Sequence, residues 1–175
     1  LTANNASKDY DGLAYSGNNG LSYIGMVNGD LSTSLTIGTQ TYAGTSQGAI
    51  NAGAYTITIA PTGYSSGLGY ALTSANGTLT INKANATVTA NSDATKVYNG
   101  LSQSVSGFTA SGLVNGETTS VLSGVTAGGS GINAGSYTSS ASGTDANYNL
   151  SFVNGTLTIN KANATVTANS DATKV

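Results

Sequence analysis

The sequence predicts an all-β chain of tandem, small β-sandwich domains, Ig-like, about 80 residues each and without significant helix. Three observations carry this. Residues 76–97, NGTLTINKANATVTANSDATKV, return letter for letter as residues 154–175. Short runs of alternating apolar and polar residues recur between Gly- and Asn-containing turn signals at about every 8–12 residues, the rhythm of a sandwich or barrel. No segment carries a helical pattern. The longest run free of Gly and Pro, Thr78 to Asn99, is rich in Thr, Asn and Val, which are weak helix formers. A period near 80 is too long for a stacked β-helix, whose rungs take about 20–30 residues. An open β-roll, or a β-grasp-like arrangement lacking its helix, fits the same alternation.

The duplication sets the expected boundaries. Residues 1–82 form a first repeat that lacks part of its first strand, residues 83–160 a second, and residues 161–175 the first strand of a truncated third. Each full repeat is large enough to bury a modest core of its own. The joint between repeats falls at Asn82, Lys83, Ala84 and Asn85, and again at Asn160, Lys161, Ala162 and Asn163. Four residues are too few for a free tether, so the joint is expected to limit bending between neighbours.

In the first repeat, Tyr10-Asp11-Gly12 aligns with Tyr98-Asn99-Gly100 of the second. Both are turn signals, because Gly, Asn and Asp tolerate positive φ. Tyr15, Tyr23, Ile24, Met26 and Val27 are expected in the core. Asn28-Gly29-Asp30 is a further turn, matched by Asn115-Gly116-Glu117. Leu35-Thr36-Ile37 alternates as a strand. Asn51-Ala52-Gly53 turns into Tyr55-Thr56-Ile57-Thr58-Ile59, whose period of two places Tyr55, Ile57 and Ile59 on the apolar face. Pro61, the only proline, is expected to stop this strand. Tyr70 to Ala75, then Asn76-Gly77, then Thr78 to Asn82 reads as a two-residue hairpin, since a type I′ turn needs positive φ twice. That register opposes Leu72 to Ile81. In the second repeat it groups Tyr148, Leu150, Phe152, Leu157 and Ile159 on one face. Asn133-Ala134-Gly135-Ser136-Tyr137 repeats the earlier turn into a strand, and Val105, Phe108, Leu113, Val114, Val121, Leu122 and Val125 complete the apolar set. The strand that opens the second repeat alternates Ala84, Ala86, Val88 and Ala90.

Composition narrows the chemistry. Hydrophobic residues make up 38% of the chain and charged residues 7%, with a net charge of −2. Disordered chains of low hydrophobicity usually carry high charge, so the expected surface is folded, uncharged and rich in Thr, Ser and Asn. Five lysines and no arginine do not make a phosphate-neutralising surface, and no nucleic-acid partner is expected. Histidine is absent, which excludes His-based acid–base and triad chemistry. Cysteine is absent, which excludes disulfides and thiolate metal sites. No run of about 18 apolar residues offers a membrane span. No catalytic or cofactor-binding residue emerges. Asp9 and Asp11, two apart before Gly12, have the spacing of part of a calcium loop. An ordinary Asp-Gly turn is the plainer reading, because the second repeat has Val97 and Asn99 there. Ca2+ is thus the one cofactor candidate. Asp30 and Glu117, each after an Asn-Gly turn, read as solvated turn acids or, less simply, ligands.

At Tyr10-Asp11-Gly12 and Tyr98-Asn99-Gly100, at the Asn-Ala-Gly-x-Tyr stretches of residues 51–55 and 133–137, and at the closing Asn-Gly-Thr-Leu-Thr-Ile-Asn-Lys segments, the sequence resembles the YDG/MBG-type repeats. These occur in large secreted bacterial surface proteins, including filamentous haemagglutinin-like adhesins exported by two-partner secretion. The resemblance covers the whole chain. The second repeat departs from the first in having Asn99 for Asp11. What the resemblance implies is an extracellular, β-rich stalk or spacer at the bacterial cell surface and not an enzyme. Its expected partners are neighbouring repeats of the same chain and other copies in a fibre. Two other readings stand beside it: a glycan- or protein-binding adhesive module, and a filament subunit that self-associates by strand addition.

Overall fold

The computed structural model describes residues 1–17, 19–60 and 63–169. The expected strand stop at Pro61 lies outside the described residues, as do residues 170–175 of the third-repeat strand. The described chain is all-β and sandwich-like; its helical pieces are two single 3-10 turns, Ser32–Ser34 and Thr119–Val121. Two compact units emerge. The first comprises Leu1–Ala86, Gly112–Ser123 and Thr144–Leu150, and the second Thr87–Ser111, Gly124–Gly143 and Ser151–Val175. Two loops of the second sequence repeat thus pack within the first compact unit.

The first unit is built on a four-stranded sheet. β1 (Thr2–Ala3) lies outside it and pairs antiparallel with β3 (Leu21–Ser22). The sheet has the order β2 (Ala6–Asp9), β8 (Gly77–Asn82), β6 (Gly53–Ala60), β5 (Thr41–Ala43), while β4 (Leu35–Thr36) pairs with β7 (Ser65–Ser66). β2 and β8 run parallel; β6 is antiparallel to both β8 and β5. The expected alternation holds on the central strands: Ile57, Ile59, Leu79 and Ile81 are buried, with threonines between them on the wetter face. A fully buried aliphatic side chain of this kind contributes roughly 1.5–3 kcal/mol by leaving water.

The second sequence repeat follows this plan with strands as long or longer. β9 (Ala84–Ala90) is the middle strand of a three-stranded sheet, between β12 (Phe108–Ser111) and β15 (Tyr148–Val153). The other sheet has the order β10 (Asp93–Val97), β16 (Gly155–Asn160), β14 (Gly135–Gly143), β13 (Val125–Gly131), β11 (Gln103–Ser106). β10 and β16 are again the parallel pair. Val88, Leu157 and Ile159 are buried as the alternation requires. Residues 161–169 form no strand and are exposed throughout.

The Asn-Gly hairpins are corrected by the structure. Neither Asn76 nor Gly77, and neither Asn154 nor Gly155, has a positive φ. Ile81 pairs with Gly53 on β6, not with Leu72, and Leu157 pairs with Tyr137 on β14. At Asn154 the chain leaves the β9 sheet and enters the β14 sheet. Glycine is needed there for space. A Cβ on Gly155 would lie 2.4 Å from the Ala90 carbonyl oxygen, and one on Gly77 would lie 2.5 Å from the Ala3 carbonyl oxygen. Those carbonyls sit where the opening strand itself breaks, after Ala3 and after Ala90. There the Asn5 side chain accepts the Thr78 N–H at 2.8 Å, and the Ser92 hydroxyl accepts the Thr156 N–H at 3.0 Å. Positive φ at two consecutive residues occurs instead at Asn28-Gly29 (54° and 73°) and Asn115-Gly116 (51° and 71°). Both are closed by an i to i+3 hydrogen bond, from Asp30 N to Val27 O and from Glu117 N to Val114 O.

Several expected core residues lie outside. Ile24 is 81% exposed, Val27, Val121 and Phe152 are also exposed, and Tyr15, Tyr23 and Met26 are half-buried. Ile24 and Val27 occupy a strand-poor segment, where no period of two fixes which side chains turn inward.

Candidate functional site

The most organised polar cluster of the first unit gathers around the Asn115-Gly116 turn. This turn presents Glu117 to two tyrosines. Tyr148 accepts the Val114 N–H at 3.0 Å and donates its hydroxyl to Glu117 Oε2. Tyr10 donates to Glu117 Oε1 at 2.5 Å. Both rings are buried, 6% and 2% exposed for Tyr10 and Tyr148. The hydrogen bond to Glu117, reinforced by burial, pushes the Tyr10 hydroxyl from its ordinary value of 10.0 up to about 12. Burial, reinforced by the same carboxylate, pushes Tyr148 to about 12 as well. A carboxylate beside a phenol disfavours the phenolate, and removal from water acts in the same direction.

The first repeat builds the simpler half of this arrangement. Tyr70 accepts the Val27 N–H at 2.9 Å and donates to Asp30 Oδ2 at 2.7 Å. In both repeats the tyrosine before the closing strand therefore locks the turn and holds the acid that follows it. Asp30 and Glu117 are acceptors for tyrosines. The sequence carried a signal for this: the turn, its acid and the tyrosine are all duplicated in the same order.

Around Glu117 the loops 112–117 and 145–148 are held by residues near the start and in the middle of the first repeat and at the joint. The Asn147 side chain accepts the Ala52 N–H at 2.9 Å and donates to Asn51 Oδ1 at 3.1 Å. Lys83 donates to the Asp145 carbonyl at 2.7 Å, and Ala84 N–H to the Asn147 carbonyl at 2.9 Å. Gly12 lies against Asn115, with its carbonyl accepting from the Asn115 side chain at 3.4 Å. Asp145 and Asn147 did not stand out in the sequence, since the residues of the first repeat and joint that hold them, from Lys83 to Asn51, lie 62 to 96 residues away.

The joint is shorter than the sequence suggested. Asn82 ends β8, while Ala84 and Asn85 open β9, which leaves Lys83 as the one residue outside a strand. Asn82 donates from its side chain to Asp9 Oδ1 at 3.1 Å, and Asn85 accepts from Asn149 at 3.3 Å. Asn160 ends β16 and its side chain donates to the carbonyls of Ala94 and Lys96, whereas Lys161, Ala162 and Asn163 are exposed and outside any strand.

The calcium candidates are otherwise engaged. Asp11 Oδ1 takes the Lys8 ammonium at 2.6 Å and the Leu13 N–H at 3.0 Å. Lys8, and then that N–H, hold its carboxyl below the usual range. Asn99 accepts the Leu101 N–H at 3.0 Å in the same manner, so the turn needs only a side-chain oxygen at this position. Among the described residues no group of three or more His, Cys, Asp or Glu side chains is arranged to hold a metal ion.

Residues 86–158, under half the chain, match the family model of the MBG domain, YGX type. No curated protein and no solved structure matches the chain. The matched family is a structural repeat domain of non-enzymatic kind. No helix among the described residues is long and apolar enough to cross a membrane.

Proposed function

We propose that these repeats are the stalk or spacer of an extracellular bacterial adhesin or biofilm-matrix fibre, extending a functional head from the cell surface. One observation carries the reading. The duplicated junction places a single residue, Lys83, between the last strand of one repeat and the first strand of the next, and the loops of the second repeat are hydrogen-bonded to residues flanking that joint. Function under this reading is mechanical: each repeat adds length, and the hydrogen bonds at the joint resist bending. The MBG match and the all-β fold support it. The test is small-angle scattering on chains with increasing numbers of repeats. Maximum dimension rising by a constant step per repeat is the expected result. A dimension that stops growing, or saturable binding to a glycan array, would favour an adhesive module instead.

Residues 161–169 favour a second reading. They carry the letters of residues 83–91, which contain all of β9, yet form no strand and are exposed. An unpaired segment of this kind could complete a neighbouring molecule by strand addition. Size-exclusion chromatography that shows a monodisperse monomer across a wide concentration range would sink that reading.

A further inference from the structure

We infer that the surface around Tyr98 is a docking site for one further repeat of the second kind, which would present its own Asn-Gly-Glu turn and Asp-x-Asn-Tyr loop to it. The inference deepens the spacer reading and rests on it.

In the first unit, six residues hold the loops 112–117 and 145–148: Tyr10, Gly12, Asn51, Ala52, Lys83 and Ala84. Each has a counterpart of the same residue type in the second unit: Tyr98, Gly100, Asn133, Ala134, Lys161 and Ala162. The local geometry is the same too. Tyr10 N and Tyr98 N each donate at 2.8 Å to the last residue of the parallel strand, Asn82 and Asn160. Gly12 and Gly100 have φ of 73° and 77°. The Tyr55 and Tyr137 hydroxyls donate to the Asn51 and Asn133 carbonyls at 2.8 and 2.9 Å.

The covering differs. Tyr10 is 6% exposed and Tyr98 42%. Tyr98, Asn133, Ala134, Lys161 and Ala162 line an open hollow of about 320 Å3, with Leu101 and Ile132 exposed in the same unit. Val166 is 95% exposed, whereas its counterpart Val88 is fully buried. A surface with a buried duplicate elsewhere in the chain is matched to whatever covers that duplicate.

The occupant follows from the acceptors required. A second copy of this chain cannot supply them through its first repeat, where Gly67 and Gly69 stand at the positions of Asp145 and Asn147 and the acid is the shorter Asp30. Nor can it supply them through its second repeat, whose loops are already held by Tyr10, Ala52 and Lys83. A further repeat with Asp, Asn and Glu at these positions, linked through residues 161–169, fits.

The test appends a copy of residues 98–160 after Val175, which completes residues 161–175 into a full repeat. Nitration of Tyr98 by tetranitromethane, read by peptide mass spectrometry, is expected to slow by about tenfold when the ring becomes covered. Hydrogen exchange at residues 161–169 is expected to slow in parallel. Replacing the appended counterparts of Glu117 by Ala and of Asn147 by Gly should restore nitration while leaving that exchange protection in place. Protection of residues 161–169 without protection of Tyr98 would overturn the docking inference and leave the spacer reading intact. Unprotected residues 161–169 would overturn the inference as well, because the completed repeat would then not fold against this surface. Protection of Tyr98 in the unextended chain that grows with concentration would assign the surface to a second copy and overturn the proposed occupant. Strong glycan binding together with a covered Tyr98 would remove the spacer reading and keep the docking site.

Discussion

Tyr10 and Tyr148 meet edge to face, with ring centroids 5.4 Å apart and planes at 81°, and their hydroxyls end on the two oxygens of one carboxylate, Glu117. The edge-on geometry sets the positive rim of one ring against the negative face of the other. Glu117 then satisfies two hydroxyls that would otherwise be buried without an acceptor. Glu117→Ala is expected to destabilise the first unit by about 2–6 kcal/mol, because each orphaned hydroxyl costs about 1–3 kcal/mol. Glu117→Gln keeps one acceptor oxygen and should cost less than the alanine variant. Urea denaturation followed by tyrosine fluorescence gives both values; equal, negligible losses would show that the cluster is not structural.

The same cluster sets an alkaline limit. Both tyrosines have folded values raised from 10.0 to about 12. A group with a raised folded value keeps its proton longer in the folded state than in the unfolded one. Its stabilisation is complete below pH 10 and is lost as pH rises through about 12, since the unfolded chain then binds fewer protons. Thermal midpoints should therefore hold below pH 10 and fall between pH 10 and 12. The fall should weaken in Tyr10→Phe, which removes one of the two titrating groups. A flat profile to pH 12 would contradict the geometry.

Gly155→Ala forces a Cβ to within 2.4 Å of the Ala90 and Asn91 carbonyl oxygens. Backbone has to move, and overpacking of this kind costs about 1–3 kcal/mol. Asn154→Ala tests the alternative directly. A type I′ turn would depend on that asparagine, whereas the observed crossing leaves it exposed with φ not positive, so a change within about 0.5 kcal/mol is expected. A large loss at Asn154 with none at Gly155, measured by chemical denaturation, would restore the hairpin.

Leu157 is fully buried in β16 and paired with Tyr137. Leu157→Ala should cost about 2–5 kcal/mol through lost burial and the cavity left behind. Calorimetry on this variant is expected to show a lowered transition.

Asp11→Asn should be nearly silent. Asn99 already makes the equivalent bond in the second repeat, and the Lys8–Asp11 pair is partly exposed, where solvent screening leaves such pairs contributing little. Asp11→Ala, which removes the turn acceptor, should cost more than Asp11→Asn in the same denaturation assay. Equal losses would show that the carboxylate itself matters.

The sequence by itself determined the period of the chain, its all-β class, the inward faces Ile57/Ile59, Leu79/Ile81 and Leu157/Ile159, and the turns at Asn28-Gly29 and Asn115-Gly116. These depend on alternation and on the φ that Asn and Gly tolerate, which neighbouring residues settle among themselves. Asn154-Gly155 carries the same two letters as Asn115-Gly116 and behaves differently, because a carbonyl of the opening strand, far away in sequence, decides whether its glycine serves torsion or space. Ile24 and Val27 were misplaced because no paired strand fixes their facing. Glu117 could be seen only as an acid after a turn, since Tyr10 lies 107 residues away. Only the tertiary structure, by closing that distance, decided that two tyrosines share one carboxylate beside the joint.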